Sequence, residues 1–378
     1  MYKILIIPVV LFFGFSIVSA QITDANLSKS DSIKPADYSE STPYQPREAG
    51  LTTLRKKKEK KPKTDSDKQK AVQPVDAIVS KETTVNKTVR IPVFVYDQKE
   101  KPVTDLKSSD IRILVDDKEQ EIAAFETSKT PLNILLILDT SPSLAYQDED
   151  LKKVVSKLIE ALKPGDKLQI ISFNENIDVL GEATADAKLL EKAVKKVRMG
   201  GGTSIYEAIK TINKKYLAAA AEQPLIILLT DGVDTTSQKA SYISSLVEAE
   251  KNGAVVFPLY FDSYEFFKKT SAAFPLSGFG INTPQNSAGL TKAEYDLGRA
   301  YLQDIAALSG GRTFAVRNLP EIKKEDFETA LKIMNPQYYI SINVTQTSGA
   351  FERKQIKVRV NRPNLTVLAR GSYVTGEN

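Results

Sequence analysis

The chain has 378 residues, with 52 lysine and arginine residues against 47 aspartate and glutamate residues, and it contains no cysteine, histidine or tryptophan. The missing residue types exclude disulfide bonds, catalysis by a thiolate or a histidine, and zinc sites built from cysteine. Any bound metal must therefore be held by oxygen atoms, which favours Mg²⁺, Ca²⁺ or Mn²⁺.

The net charge of +5 is concentrated in one short run of the sequence. Residues 55–63 carry seven basic side chains and one acidic side chain, so the rest of the chain has 45 basic and 46 acidic residues. The part of the chain that folds is therefore expected to be close to neutral, and we predict no nucleic-acid partner.

The first 20 residues have the pattern of a secretory signal peptide. One lysine precedes an apolar run at residues 4–18, and Val18-Ser19-Ala20 is typical of a cleavage site with small residues. A retained signal anchor is the alternative, but the run is shorter than the roughly 20 residues that a membrane-spanning helix needs. We predict cleavage after Ala20, no transmembrane helix in the mature chain, and a secreted, periplasmic or cell-envelope location.

Residues 21–84 have no sustained helix or strand periodicity and are rich in serine, threonine, proline, lysine and aspartate. Such a segment buries too little apolar surface to offset its loss of conformational entropy, so we predict a disordered basic linker. Its basic run, Arg55 to Lys63, has the charge to contact an anionic envelope surface. A solvated linker without a partner is the alternative.

Residues 85–128 are predicted to be an N-terminal segment of β-strands. Apolar residues occupy every second position from Val89 to Val95, which indicates a strand, and residues 111–115 form a second one. Asp116-Asp117-Lys118 is predicted to be a hairpin turn that leads into a strand at residues 121–125.

Residues 130–335 alternate between apolar strands and amphipathic helices. Apolar residues at helical spacing, as between Leu151 and Leu162, separate the strands. This alternation predicts an α/β fold with a doubly wound, mostly parallel sheet and helices on both faces. The clearest strands are predicted at residues 132–138, 168–173, 225–229 and 255–261.

Past Pro336 the apolar pattern returns to a period of two, so residues 336–378 are predicted to form β-strands. Neither strand-rich flank is large enough to be stable alone. We predict that residues 336–378 pair with residues 85–128 in one small β-sandwich-like domain, with the α/β domain inserted between them.

Three polar loops stand out in the α/β region. Asp139-Thr140-Ser141-Pro142-Ser143 and Thr230-Asp231-Gly232 each follow an apolar strand, and Gly200-Gly201-Gly202-Thr203-Ser204 opens a helix. Because ligands bind beyond the carboxyl ends of the strands in open α/β sheets, loops of this kind can converge on one site.

Each loop also has a structural explanation. Ser204 and Glu207 have the spacing of a capping box, which we predict to be their role, and Asp231-Gly232 is an ordinary turn pair. Asp234 is either an outer group of the site or part of the cap of the next helix, and we favour the cap.

Together the three loops resemble the metal-ion-dependent adhesion site of von Willebrand factor type A domains, in which D-x-S-x-S is followed by a threonine after glycines and by an aspartate in T-D-G. The resemblance covers residues 130–335 and implies a Rossmann-like sheet with one antiparallel edge. Pro142 and Leu144 depart mildly from the family pattern and remove no oxygen ligand. The resemblance implies that the metal is held, directly or through water, by Asp139, Ser141, Ser143, Thr203 and Asp231.

The flanking segments are similar, more loosely, to a bacterial secreted VWFA-related family. Pro92 lies within the first strand pattern, and Lys101 replaces the usual glycine. The spacing of residues 369–373 at the end of the chain also differs.

The resemblance implies a divalent-cation-dependent protein-binding or adhesion module outside the cytoplasm. Mg²⁺, or Mn²⁺ or Ca²⁺, would capture an Asp or Glu side chain of an extracellular or envelope protein at an open coordination position. One alternative is a non-catalytic envelope scaffold with a structural metal. Another is a metal-dependent hydrolase with a lid at residues 278–289, but no general base or nucleophile is evident, so we predict that the protein is not an enzyme.

Overall fold

The computed structural model describes residues 38–44, 84–128, 131–145, 148–218, 223–264, 291–316, 318–347 and 351–375. The predicted signal peptide, the basic run and most of the 262–290 insertion lie outside these residues.

The strands are β1 (Ser39–Glu40), β2 (Thr84–Tyr96), β3 (Ile111–Val115), β4 (Lys118–Gln120), β5 (Ile122–Thr127), β6 (Asn133–Asp139), β7 (Lys167–Phe173), β8 (Ile177–Val179), β9 (Leu225–Thr230), β10 (Val256–Phe261), β11 (Phe314–Val316), β12 (Tyr338–Thr347), β13 (Glu352–Val360), β14 (Thr366–Ala369) and β15 (Ser372–Thr375). The α-helices are α1 (Pro142–Ala145), α2 (Asp148–Ala161), α3 (Ala187–Val194), α4 (Ile205–Ile212), α5 (Tyr242–Asn252), α6 (Lys292–Ser309) and α7 (Lys324–Ile333).

The central sheet has the strand order β11-β10-β9-β6-β7-β8. Its strands are parallel except for the edge strand β8, which runs antiparallel to β7. In β6, the side chains of Ile134 and Leu136 pack into the apolar core on one face, whereas Leu135 and Ile137 pack into the core on the other face. Because both faces are covered, β6 is apolar along almost its whole length. The predicted doubly wound α/β fold is confirmed.

Two further sheets pack face to face around a third apolar core. One has the order β14-β2-β12-β5, and the other has the order β1-β13-β3-β4 with β15 also paired to β13. Strands from before and after the α/β region are therefore hydrogen-bonded to one another, as β12 is to β2 and β5. This is the β-sandwich expected from the flanking strands. That the chain divides into separately folding domains at the predicted boundaries stays a prediction.

The hairpin after β3 forms as predicted, but the strand after it is divided. Asp116 and Asp117 both have positive φ angles, of 47° and 62°, as the tight turns favoured in two-residue hairpins require. β4 then pairs with β3, whereas β5 pairs with β12 in the opposite sheet. The chain therefore passes from one sandwich sheet to the other at residue 121, and the predicted strand at residues 121–125 corresponds to the start of β5.

The prediction of a disordered linker is wrong for residues 38–44. Ser39 and Glu40 pair with β13, the backbone N–H of Ser41 donates to the carbonyl of Val358 at 2.8 Å, and Tyr44 is buried. The carboxylate of Glu40 lies 2.8 Å from the guanidinium of Arg359. A two-residue strand has no readable periodicity, so composition alone could not reveal a segment held by these contacts.

The sandwich and the α/β unit share apolar contacts. Phe94 and Tyr96 of β2 belong to the core on one face of the central sheet, and the ring of Phe94 meets that of Phe257 edge-on, with centroids 5.5 Å apart. The strand that forms the middle of one sandwich sheet thus also covers part of the α/β core.

Candidate metal centre

Two aspartates lie side by side at the carboxyl end of the central sheet. Asp139 is the last residue of β6, and Asp231 directly follows Thr230, the last residue of the neighbouring parallel strand β9. All three residues are fully buried. The adjacent parallel strands therefore bring the first and third predicted loops together at one edge of the sheet.

The carboxylate of Asp139 accepts hydrogen bonds on both oxygens. The hydroxyl of Thr230 donates to Oδ2 at 2.5 Å, and the backbone N–H of Ser141 donates to Oδ1 at 2.9 Å. The hydroxyl oxygens of Ser141 and Ser143 are themselves hydrogen-bonded at 3.0 Å. These contacts fix the orientation of Asp139 and place the two serine hydroxyls beside it.

Asp231 is held by two hydroxyls and one amide. The hydroxyl of Ser263 donates to Oδ2 at 2.6 Å, the backbone N–H of Val233 donates to Oδ1 at 3.1 Å, and the hydroxyl of Ser143 also bonds to the carboxylate. Ser143 therefore links the first loop to the third. Four of the predicted ligands, Asp139, Ser141, Ser143 and Asp231, lie in one hydrogen-bonded cluster.

Thr203 is connected to the same region through its backbone. Its N–H donates to the hydroxyl of Thr235 at 2.8 Å, and its carbonyl accepts from the N–H groups of Thr235 and Thr236 at 2.8 and 3.0 Å. The glycine loop is also tied to the first loop, because the N–H of Gly200 donates to the carbonyl of Thr140 at 2.8 Å. All three predicted loops are thus joined by hydrogen bonds.

Gly232 allows a helix to approach the loop that carries Asp231. Its φ angle is +81°, and a Cβ atom there would lie 2.7 Å from the backbone oxygen of Gly298 in α6. A side chain on either glycine would force α6 away from the site.

Residues 134–233 match the family profile of the von Willebrand factor type A domain. That segment begins in β6 and ends just after Asp231, so it contains all five predicted ligand residues. This part of the chain is a von Willebrand factor type A domain.

Individual relatives of the vWA domain are distant. Over 195 residues the chain is 24% identical to the collagen alpha-1(VI) chain of Mus musculus, covering 47% of this chain but only 19% of that relative's length. A von Willebrand factor type A structure from Catenulispora acidiphila is 14% identical, with a TM-score of 0.40 and coverage of 80% of this chain and 75% of that one. Proximal thread matrix protein 1 from the mussel byssus, in a structure described as having a zinc-occupied MIDAS motif, is 16% identical, with a TM-score of 0.35 and coverage of 56% and 48%.

The electrostatics of the vWA site are unfavourable for two bare carboxylates. Burial, and after it the negative charge of Asp231, raise the pKa of Asp139 to about 7, against the opposing effect of its hydrogen bonds. Burial likewise raises the pKa of Asp231, against the hydrogen bonds from Ser263 and Ser143. In the described part of the chain, neither aspartate forms an ion pair with a lysine or arginine. The pair therefore needs a proton or an external cation to offset its charge.

The donor set of the vWA site fits a hard divalent cation. Two carboxylates and up to three hydroxyls are the oxygen ligands that Mg²⁺, Mn²⁺ and Ca²⁺ accept. Within the described ranges, no group of three or more acidic side chains is placed to hold a metal, so this site depends on its serine and threonine oxygens.

The predicted capping box at Ser204 and Glu207 is wrong. The side chain of Ser204 makes no cap hydrogen bond and instead contacts the hydroxyl of Thr236 at 2.7 Å. The carboxylate of Glu207 accepts from the N–H groups of Gln238 and Lys239. Both side chains therefore hold the segment that follows Asp231, which the local spacing could not reveal.

The predicted role of Asp234 in capping the next helix is also wrong. Its carboxylate accepts from the backbone N–H of Tyr206 at 3.2 Å, in the first turn of the preceding helix α4, and from that of Ser237. The next helix, α5, is capped by Ser241.

Sequence reasoning missed Thr230 and Ser263 as partners of the two aspartates. Thr230 carries a usable signal, because it is the polar last residue of an otherwise apolar strand beside β6. Ser263 follows β10 and carries no comparable signal. Tyr295 of α6 also contacts the hydroxyl of Ser263, at 3.4 Å.

Among the described residues, no helix combines the length and the apolar character needed to cross a membrane.

Proposed function

We propose that the vWA domain is a divalent-cation-dependent protein-binding module. Asp139, Ser141, Ser143, Thr203 and Asp231 would hold Mg²⁺, with Mn²⁺ or Ca²⁺ as alternatives. The bound cation would supply an electrophilic position for an Asp or Glu side chain of a partner protein. The observation that supports this most is the pair of buried carboxylates, which accept hydrogen bonds from hydroxyl and amide donors and pair with no lysine or arginine among the described residues.

In the proposed site, some residues would supply negative charge and others would orient the ligands. Asp139 and Asp231 would provide the negative charge, and the serine and threonine hydroxyls would complete the oxygen set without adding more. Thr230 and Ser263 would hold the two carboxylates in place, as outer partners of metal ligands commonly do. We propose binding rather than catalysis, because the groups in contact with the two aspartates are hydroxyls and backbone amides.

We also propose that the protein acts outside the cytoplasm, on an extracellular or envelope partner that presents an acidic side chain. This proposal depends on the signal-peptide pattern of residues 1–20. The basic run at Arg55 to Lys63 would favour contact with an anionic surface.

A structural metal in an envelope scaffold is the second candidate, and the burial of the site favours it. Asp139, Ser141 and Asp231 are fully buried, and Thr203 is only 4% exposed. Ser143 is the one predicted ligand that is partly exposed. In this case the cation would tie the three loops together without contacting a partner.

A displayed-peptide library tests the two candidates. The mature chain would be immobilised in Mg²⁺, and bound peptides would be eluted with EDTA. The binding module predicts recovered peptides that share an Asp or Glu, bind at least 100-fold more weakly when it is replaced by Asn or Gln, and do not bind the Asp139→Asn variant.

Three results would contradict the binding module: recovery of no peptide, recovery of peptides without a shared acidic residue, or binding that survives EDTA. If Mg²⁺ then still raises the melting temperature of the wild type but not of Asp139→Asn, the scaffold is supported instead.

A further inference from the structure

A cavity of about 280 Å³ lies between the β-sandwich and the α/β unit. It is bordered by Leu225 at the start of β9 and by Gly253 after the end of α5. Since β9 ends at Thr230, beside Asp139, the cavity and the candidate metal centre lie at opposite ends of the same strand. The cavity is therefore a separate feature of the molecule.

A buried arginine faces this cavity. Arg370 is 6% exposed, and its Nε and Nη2 atoms donate to the carbonyl oxygens of Ser372 and Glu250 at 2.8 and 2.7 Å. No hydrogen bond from Nη1 to any described residue is found, and a Cβ atom on Gly253 would lie only 2.7 Å from Nη1. Because a guanidinium has five N–H groups, more than half of the donors of Arg370 have no partner within the described ranges.

The charge of Arg370 is not neutralised by a direct ion pair. The nearest buried carboxylate, Glu250, is bound to Arg353 by three hydrogen bonds and to the hydroxyl of Ser372. Within the described residues no carboxylate lies within ion-pair distance of Arg370. The carbonyl end of α5 offsets part of the charge, as helix C-termini do for cations. Because the guanidinium is buried, its charge is incompletely solvated, and this lowers the pKa of Arg370 to about 10.

Two lysines add positive charge to the rim. Lys87 is exposed and forms no ion pair with a described residue, and Lys251 has only a long contact of 3.8 Å with Glu248. Arg90 also borders the cavity but is engaged elsewhere, since it pairs with Glu126 and lies 3.6 Å from the ring centroid of Tyr339. Three cationic side chains thus border a cavity whose one acidic side chain among the described residues, Glu250, is already bound to Arg353 and Ser372.

We propose that this cavity binds a small oxyanion, a phosphate or a carboxylate group, through Arg370, Lys87 and Lys251. Arg370 at the base would donate from Nη1 to one oxygen of the anion, and the two lysines would neutralise the remaining charge at the rim. Charge-assisted hydrogen bonds of this kind are stronger than neutral ones when they are buried. The site is independent of the metal proposed at the other end of β9.

Calorimetric titration of the mature chain in EDTA, at constant ionic strength, tests the proposal. Sodium phosphate and sodium acetate are titrated separately, so that the two arms distinguish a phosphate ligand from a carboxylate ligand. We expect one of them to bind saturably to a single site with a Kd at or below about 1 mM. The variant Lys87→Gln/Lys251→Gln, which leaves the buried Arg370 intact, should bind at least tenfold more weakly.

The matched control is Lys188→Gln/Lys332→Gln, which removes the same charge from exposed positions on α3 and α7. It should bind like the wild type. If neither anion binds saturably, or if the control loses as much affinity as the cavity variant, the proposal is wrong.

Discussion

The buried carboxylate of Glu250 and the buried carboxylates of Asp139 and Asp231 have different kinds of partners. Glu250 is 2% exposed, and its carboxylate lies 2.8 Å from the guanidinium of Arg353, with a further hydrogen bond from Ser372. Asp139 and Asp231 are equally buried, but hydroxyls and backbone amides are their partners in the described residues. Within the described residues, the charge of Glu250 is therefore balanced by an arginine, whereas the charges of Asp139 and Asp231 are not.

The difference supports a structural role for the Glu250 site and the proposed binding role for the site of Asp139 and Asp231. The Glu250 cluster joins α5 to β13 and β15, so its charges serve to hold the sandwich against the vWA domain. The two aspartates lie close together, and no described lysine or arginine pairs with them, so a proton or a cation from solution would offset their charge. We infer that the first site is sensitive to mutation and indifferent to metal, and that the second is sensitive to both.

The largest effect is expected from Arg353→Met, which replaces the apolar stem of the side chain with one of similar length but removes the guanidinium and its charge. Glu250 would then be buried without its paired cation, and breaking a buried pair in this way costs about 3 kcal/mol or more. Urea unfolding should show this loss equally in Mg²⁺ and in EDTA. The exposed Arg112→Met on β3 is the control and should cost less than about 1 kcal/mol. A loss for Arg353→Met that depends on Mg²⁺ would remove the distinction between the two sites.

The next effect concerns the response of the metal site to Mg²⁺. At about 100 times its Kd, Mg²⁺ should stabilise the folded protein by about 2.7 kcal/mol and raise the melting temperature accordingly. The Asp139→Asn variant should lose this response. In EDTA it should melt no lower than the wild type, because removing one of two adjacent buried charges relieves their repulsion. An Asp139→Asn protein that responds to Mg²⁺ like the wild type would contradict this prediction.

A smaller effect is expected from Thr230→Val, which preserves the shape of the side chain but removes the hydroxyl that donates to Asp139. Outer partners of metal ligands typically contribute at least tenfold in affinity, so the Kd for Mg²⁺ should rise about tenfold. Calorimetry provides the measurement, and Thr235→Val, whose hydroxyl contacts the backbone of Thr203 instead, is the comparison. Equal affinities for Thr230→Val and the wild type would show that the hydroxyl does not orient the ligand.

The smallest effect is a dependence on pH that the metal removes. In EDTA, the pKa of Asp139 is raised in the folded state, so this group stabilises the fold below its unfolded pKa of about 4, and that stability is lost as the pH rises to about 7. Unfolding free energy should therefore fall by about 1 kcal/mol from pH 5.5 to pH 6.5. With saturating Mg²⁺ the contribution of Asp139 should stay constant over the same interval, because this carboxylate is then unprotonated in both the folded and the unfolded state. An unfolding free energy that does not fall in EDTA would show that Asp139 is ionised without a metal.

Much of the fold could be predicted because its elements are long and periodic. β6 is apolar along almost its whole length because both of its faces are buried. The apolar residues of α2 recur at helical spacing because one side of the helix packs against the core. The strands at residues 338–347 and 352–360 follow from alternation. The short segment at residues 38–44 could not be predicted, because its stability depends on β13 and not on its own sequence.

The sequence predicts those site residues that carry oxygen ligands and also directly follow a recognisable strand. Asp139, Ser141, Ser143 and Asp231 follow strands that pair in the sheet, so their proximity follows from the topology. Ser263 contacts Asp231 from a loop after β10 with no signal of its own. The spacing of Ser204 and Glu207 predicts a helix cap, whereas the hydroxyl of Ser204 contacts that of Thr236, which is 32 residues away in the chain.

We propose that the buried aspartate pair binds a divalent cation, and calorimetric titration of the mature wild-type chain and of Asp139→Asn with Mg²⁺, Mn²⁺ and Ca²⁺ tests this directly. We expect one saturable site in the wild type for at least one of these ions and no measurable binding in the variant. Absence of binding in the wild type, or equal binding in both proteins, would contradict it.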